Sequence, residues 1–355
     1  MRKFKMILCF SVCLTALVCI FGMGNVVTDG LKSGLLLCSS VIIPSLFPFM
    51  TVCSFMEKSG LLNIGAGKWE WVTGRLFKLP GCTFLVILLS FFAGYPVGAR
   101  MVRSMHSSGA ISLSEGKKMC LFCIGAGPAF LVIAVGCGML YNKWAGWILA
   151  VTHLLSAIVT ALLCGRFVES YRPTEQVSIK KQRMSLADAL VESVAASTGA
   201  LISVCAYTVL FSGVVAVIKA SWGQWVGLAL TAVTEVSNGC ALAAVLQAPI
   251  PVFAAITGFG GISVMCQVMA CAGVCRPKFT TMIAVRCVNA AISYIICSLL
   301  LRIFPVSEQV FSTFSVSIPK LSGATVGFPI AFLVFCTVFL FSTYQKSHKR
   351  LVDFF

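Results

Sequence analysis

Uncharged apolar runs of membrane-crossing length make up most of this chain, and that property alone removes nearly every soluble architecture. They cover 6–28, 33–56, 79–99, 119–142, 144–165, 193–218, 220–234, 236–275, 287–301 and 321–345, the short run at 287–301 reaching full length when extended back past Arg286. A bilayer core takes about 20 apolar residues as a helix. Backbone groups in hydrocarbon must also be satisfied within their own segment, which selects helices. The expectation is an all-α polytopic membrane protein of about 8–10 transmembrane segments in two related halves. Re-entrant or broken helices are expected near 79–99 and 250–275, and a hydrophobic fraction of 59% against 11% charged agrees with this class.

The balance of 27 Lys and Arg against 11 Asp and Glu would raise nucleic acid as a partner in a soluble protein. Here the basic residues fall in short loops between apolar runs, as they do on the cytoplasmic side of membrane proteins. No basic stripe is interleaved with exposed aromatics, so no nucleic-acid partner is expected. Arg166, Arg172, Lys180, Lys181 and Arg183 mark 166–185 as a cytoplasmic linker. The organisation read from this is an N-terminal transmembrane helix at 1–28, a first membrane repeat at 29–165, the basic linker, a second membrane repeat at 186–345 and a basic tail at 346–355. Arg2, Lys3 and Lys5 before an apolar run to Phe21 resemble a signal peptide, but the run's length favours an uncleaved helix.

Two apolar stretches are broken by glycine and proline: FFAGYPVGARMV (91–102) and TGFGGISVMCQV (257–268). Non-helical backbone at membrane depth survives where it lines a protein cavity, and paired breaks point to a transporter's substrate site. Were 79–99 to cross once, the basic loops at 57–78 and 100–118 would lie on opposite sides. A re-entrant hairpin turning near Gly94 puts both in the cytoplasm. The halves also echo one another: Asp29-Gly-Leu31 resembles Asp188-Ala-Leu190, Pro80-Gly-Cys82 resembles Asn238-Gly-Cys240, and Gly94 aligns with Gly260. The basic tail leaves the orientation of the C-terminus open.

Polar groups inside the apolar runs are candidate site residues. Glu235 is costly there, by about 2.5–3.5 kcal/mol on insertion scales. It is either an interfacial cap or a buried group that binds a coupling cation or proton, with Asn238 beside it. Arg286, some two turns inside its run, either snorkels or pairs with Glu235 or an anionic substrate; Asn289 shares its face. Gly258, Gly260 and Gly261 with Ser263 and Gln267 form the second break, where backbone N–H groups and a half-helix N-terminus favour negative charge. Gly94, Tyr95, Pro96 and Gly98 form the first. Pro44, beside Ser45, and Pro48 kink another run, freeing carbonyls that either only bend the helix or line the site. Arg100 and Arg103 read as positive-inside anchors, and His153 as a packed or hydrogen-bonded residue. The 18 cysteines lie mostly in apolar runs and act as small hydrophobes. Cys120-x-x-Cys123 has no second pair, so neither a metal nor any other cofactor is expected. Soluble-enzyme motifs (HExxH, P-loop, GxSxG, the Rossmann pattern) are missing, and no enzymatic activity is expected.

Phe47-Pro-Phe49, Pro80-Gly-Cys82, Gly94-Tyr-Pro-Val-Gly-Ala99, Gly127-Pro-Ala-Phe130 and Gly258-Phe-Gly-Gly-Ile-Ser263 together resemble the YlbJ-type sporulation integral membrane proteins. Those are placed in the wider Gate, or nucleoside-recognition, group related to concentrative nucleoside transporters. The resemblance covers about 28–345 and departs at Ile124-Gly-Ala126, where the family tends to place Asn and Ser. It implies a multi-pass protein of the cell membrane or outer forespore membrane that moves dipicolinate, a small planar dianion, during sporulation. Expected partners are therefore a small anionic substrate, the lipid bilayer and a coupling cation or proton, with oligomerisation open. The alternatives are a cation-coupled nucleoside carrier, with Glu235, Asn238 and Gln267 as ligands, and a non-transporting sporulation scaffold.

Overall fold

The computed structural model describes residues 21–61, 66–167 and 185–306, apart from the side chains of Ser45, Ala66 and Phe167. The expected first span up to residue 20, most of the basic linker, the last apolar run and the basic tail lie outside the described residues. Those described are helical with no strand.

In the first half, α1 (Gly24–Leu37) passes through a wide turn at Cys38–Ile42 into α2 (Ile43–Lys58). The short α3 (Glu70–Phe77) follows, then α4 (Phe84–Ala93), α5 (Tyr95–Ser107), α6 (Leu113–Phe122), a wide-turn helix α7 (Ala129–Met139) and α8 (Lys143–Phe167). The second half contains α9 (Leu186–Ser221), α10 (Gln224–Thr234), α11 (Val236–Val245), α12 (Ile250–Phe259), α13 (Gly261–Ala272) and α14 (Phe279–Ile303).

The scaffold is α1 and α2 laid antiparallel against α9. Gly30 and Gly34, one turn apart, let the backbones meet: a Cβ at Gly30 would lie 2.5 Å from that of Ala216, and one at Gly34 2.9 Å from Ser212. Small-residue contact of this kind is how helices associate where lipid removes the hydrophobic drive. Farther along, the Cys38 thiol faces the Cys205 carbonyl, and Lys58 pairs with Glu192 at 2.6 Å.

Two elements turn back inside the bundle. In the first, α4 and α5 fold together about Gly94 (φ 88°), with Gly98 against Ser90 and the Cys123 carbonyl. The hairpin expected at 79–99 thus turns where expected, but its second arm runs on to Ser107 and takes in Arg100 and Arg103, which were expected in the loop after it. In the second, α10 and α11 fold together about Glu235, and a Cβ on Gly239 would meet the Ala232 Cα at 2.8 Å. The register that aligned Gly94 with Gly260 is thereby corrected, because the turn-back of the second half is at Thr234–Val236. Gly260 instead interrupts a 26-residue apolar span, Ile250–Cys275, and the first half has a comparable break at Cys123–Pro128 between α6 and α7. The runs 220–234 and 236–275, expected to cross separately, thus form one hairpin and one span. Four described helical stretches are long and apolar enough to cross a membrane, or six if each bent pair counts.

Contacts fix the ends of the bundle. Glu57 meets Ser104, Arg103 meets Gly273 and Gly116 meets Cys275, so the loops after α2, α5 and α13 share an end with the linker. The first hairpin enters from that end and the second from the other. Lys58, Lys68, Arg75, Lys78, Arg103, Lys117, Arg276 and Lys278 gather at the linker end, against Lys32, Lys143, Lys219 and Arg302 opposite. By the positive-inside rule the linker end is cytoplasmic. All six tryptophans are exposed, Trp69 and Trp71 at this end and Trp144, Trp147, Trp222 and Trp225 at the other, as aromatic belts require.

Candidate functional site

Each hairpin tip rests on the break of its own half. A Cβ at Gly127 would lie 2.9 Å from the Phe92 carbonyl and 3.3 Å from Gly94 N. One at Gly261 would lie 3.1 Å from the Thr234 carbonyl and 3.2 Å from Glu235. Gly94, Gly260 and Gly261 all have φ above 80°, which residues with a Cβ rarely adopt.

The break at Gly260 strands the last carbonyls of α12, and three side chains from two elements satisfy them. Tyr95 on α5 donates its hydroxyl to Thr257 O at 2.9 Å. Asn289 on α14 donates to Gly258 O at 2.8 Å, while its own carbonyl accepts from Thr160 on α8. Arg286 donates from Nε to Phe259 O at 2.9 Å, from Nη1 to Ile124 O in the first break at 2.9 Å, and from Nη2 to Thr257 O at 3.4 Å. A cation is favourable where a helix ends, so the α12 C-terminus offsets part of the cost of this buried charge. The first break has an analogous partner, His153 on α8, whose Nε2 accepts from Ala126 N–H at 2.8 Å.

Glu235 is buried at the opposite pole of a half-helix. Extended backbone there (φ −148°) lets its carboxylate accept from the backbone N–H of Ser237 and Asn238, at 3.1 and 2.7 Å, capping α11. The Asn238 amide donates to the same carboxylate and to Ser212. The expected pairing of Glu235 with Arg286 is not formed: each is bound by backbone, with Gly260 and Gly261 between them. Both charges are used as helix-end groups, which accounts for their presence at membrane depth without an ion pair.

The other expected residues divide. Tyr95, Pro96, Gly98, Ser263, Gln267 and Asn289 are buried near the breaks, and Gln267 donates to Ser263. Pro44 is exposed in the first turn of α2, where the chain bends by 55° between Gly24–Ile42 and Leu46–Lys58. Ser45 lies in the same helix. Arg100 is more than a surface anchor, donating to Ala196 O and Ser54 across the contact between hairpin and scaffold. Sequence reasoning missed Thr160 and Ser212; Thr152, His153, Ser156 and Thr160 do form a polar stripe at helical spacing that could have marked that face. Among the described residues no group of His, Cys, Asp or Glu is placed to hold a metal ion.

Two half-helices, α5 and α13, start at mid-bundle with no side-chain cap. The N-terminus of α13 lies against Arg286 and against the ring of Tyr95, the first residue of α5, since a Cβ on Gly260 would lie 3.3 Å from both the ring and Arg286 Nη2. A positive helix end and a guanidinium are therefore adjacent, an arrangement that favours an anion.

The chain is a multi-pass integral membrane protein. It is 25% identical over 152 residues to the sporulation integral membrane protein YlbJ of Bacillus subtilis (strain 168). The matched stretch spans 43% of this chain and 36% of that protein. No protein-family model and no solved structure match the chain.

Proposed function

We propose that this protein is a membrane transporter for a small organic anion, acting in sporulation, with dipicolinate as its substrate. The contact of the uncapped α13 N-terminus with Arg286, beside the Tyr95 ring of α5, carries this reading, because it gathers positive potential where no described carboxylate pairs with the arginine. Hairpins that enter from opposite ends and meet two broken spans supply what alternating access needs, a site reachable from either side at mid-depth. The similarity to YlbJ supports the sporulation setting, and the resemblance of the glycine-rich motifs supports dipicolinate. In this reading the two carboxylates of the substrate bind at the α5 and α13 N-termini, and the free N–H groups of Arg286 contribute to one of them.

Glu235 and Asn238 at the second hairpin tip favour a second reading, a nucleoside carrier, because a buried carboxylate and amide suit ribose hydroxyls. Uptake of labelled dipicolinate and labelled uridine into proteoliposomes decides between them. Dipicolinate flux that unlabelled dipicolinate suppresses and uridine does not is the expected outcome. Uridine flux alone would establish the second reading, and a folded preparation that carries neither would remove transport of both.

A further inference from the structure

The cytoplasmic end carries one segment without a counterpart in the other half: residues 59–80 separate α2 from the first hairpin, whereas Trp222 and Gly223 alone separate α9 from α10. Within it, Gly67–Phe77 runs at 91° to Gly81–Ala93 and so lies in the membrane plane if the hairpin arm follows the other spans. One face is fixed to the bundle. Trp69 stacks on Phe84 with centroids 3.9 Å apart, the Glu70 carboxylate accepts from Gly81 N–H at 2.5 Å, and buried Lys118 donates to the Phe77 carbonyl at 2.6 Å.

Trp71 and Arg75, four apart, share an exposed side of α3, and a basic residue stands at each of its ends: Lys68 in the tight turn before it and the half-buried Lys78, in left-handed conformation, after it. Trp71 is 71% exposed, Leu76 in the same helix is 45% exposed, and the Arg75 guanidinium sits 6.0 Å from the Trp71 ring centroid. Large apolar groups flanked by basic ones, on a helix lying in plane at a cytoplasmic surface, match an interfacial anchor rather than a water-facing loop. We propose that this face is a binding surface for anionic phospholipid headgroups. Arg75, Lys68 and Lys78 contact lipid phosphates while Trp71 and Leu76 insert at the level of the glycerol backbone. Because the segment is bonded to α4 at Gly81 and Phe84, this holds the first hairpin at a set depth. The inference does not rest on the transport reading.

The test is lipid selectivity of the full chain in nanodiscs that contain spin-labelled phosphatidylglycerol or phosphatidylcholine. The wild type is expected to immobilise phosphatidylglycerol preferentially. Each charge removed should lower that preference by up to about fivefold, so K68Q/R75Q/K78Q brings it close to none. The charge-keeping K68R/R75K/K78R should retain it, as should K32Q/K143Q/K219Q at the opposite end. No preference in the wild type, or equal loss in the opposite-end or charge-keeping variant, overturns the proposal. Displacement of the lipid by inorganic phosphate at matched ionic strength also overturns it, in favour of a free-anion site.

Discussion

Arg286→Met tests whether the buried guanidinium holds the two breaks together. Methionine keeps a comparable length and removes every donor. Phe259 O and Ile124 O then lose their Arg286 bonds, whereas Thr257 O keeps Tyr95. An orphaned buried carbonyl costs about 1–3 kcal/mol, so the loss is about 2–6 kcal/mol before compensation. Removing a buried charge returns part of its desolvation cost, but the α12 C-terminus had already offset some of that, so a net loss of about 1–4 kcal/mol is expected. Arg286→Lys discriminates further: an ammonium keeps the charge but cannot span carbonyls on two separate breaks with one planar fork. Thermal unfolding in detergent, followed by loss of the monodisperse species, should rank wild type above the lysine variant and the lysine variant at or above methionine. Wild-type unfolding temperatures for both variants would refute the capping argument. A lysine variant of wild-type stability beside a weakened methionine variant would mean that charge, rather than the fork, is what the breaks require.

Other positions give narrower expectations. Gly98→Val drives a side chain into the Cys123 carbonyl and Ser90 and should prevent the first hairpin from closing, measured as loss of folded protein in the membrane fraction. Gly34→Leu, at 2.9 Å from the α9 backbone and Ser212, should separate α1 from α9 and reduce stability by more than a lipid-facing Val52→Leu. Glu235→Gln keeps one acceptor for the α11 N-terminus and should cost about 1 kcal/mol, with Glu235→Ala costing more. If dipicolinate is the cargo, Arg286→Lys should weaken its uptake in proteoliposomes less than Arg286→Met does, at equal amounts of folded protein.

The first hairpin was legible because two independent rules agreed on it: basic loops on both sides of 79–99 had to share a face, and Gly94 with Pro96 supplied a break. Glu235 and Arg286 stood out because charge is costly in an apolar run. The second hairpin was not legible, and the reason is physical. Its turn, Thr234-Glu235-Val236, contains neither glycine nor proline, because Glu235 takes an ordinary extended conformation and caps the next helix itself. The glycines that drew attention, 260 and 261, use their positive φ to offset two halves of one span. Segment 59–80 also defeated a constant-spacing match between the halves. The first helices begin at Gly24 and Leu186 and the tips lie at Gly94 and Glu235, so the offset shrinks by roughly the length of that segment. A proline such as Pro44 frees a carbonyl without fixing where it faces, so its role was not legible from sequence.

The hydrogen bonds at the breaks run across the halves, which constrains how any transport motion proceeds. Tyr95 belongs to the first hairpin but bonds the second break, while Arg286 belongs to the second half but bonds the first break at Ile124. Thr160 on α8 bonds Asn289 on α14, tying the same two halves again. Separating the breaks from one another would strand carbonyls and a guanidinium in a medium without water, at several kcal/mol. The contact of α5 with α2 and α9 is polar towards the cytoplasmic end, where Arg100 and Ser104 reach Ser54, Glu57 and Ala196. In the transport reading, a movement that keeps both breaks and both hairpin tips as one body preserves these bonds, and against the scaffold of α1, α2 and α9 it also has to exchange the Asn238–Ser212 hydrogen bond. The bonds that rearrange in that reading are then those of Arg100 and Asn238 to the scaffold.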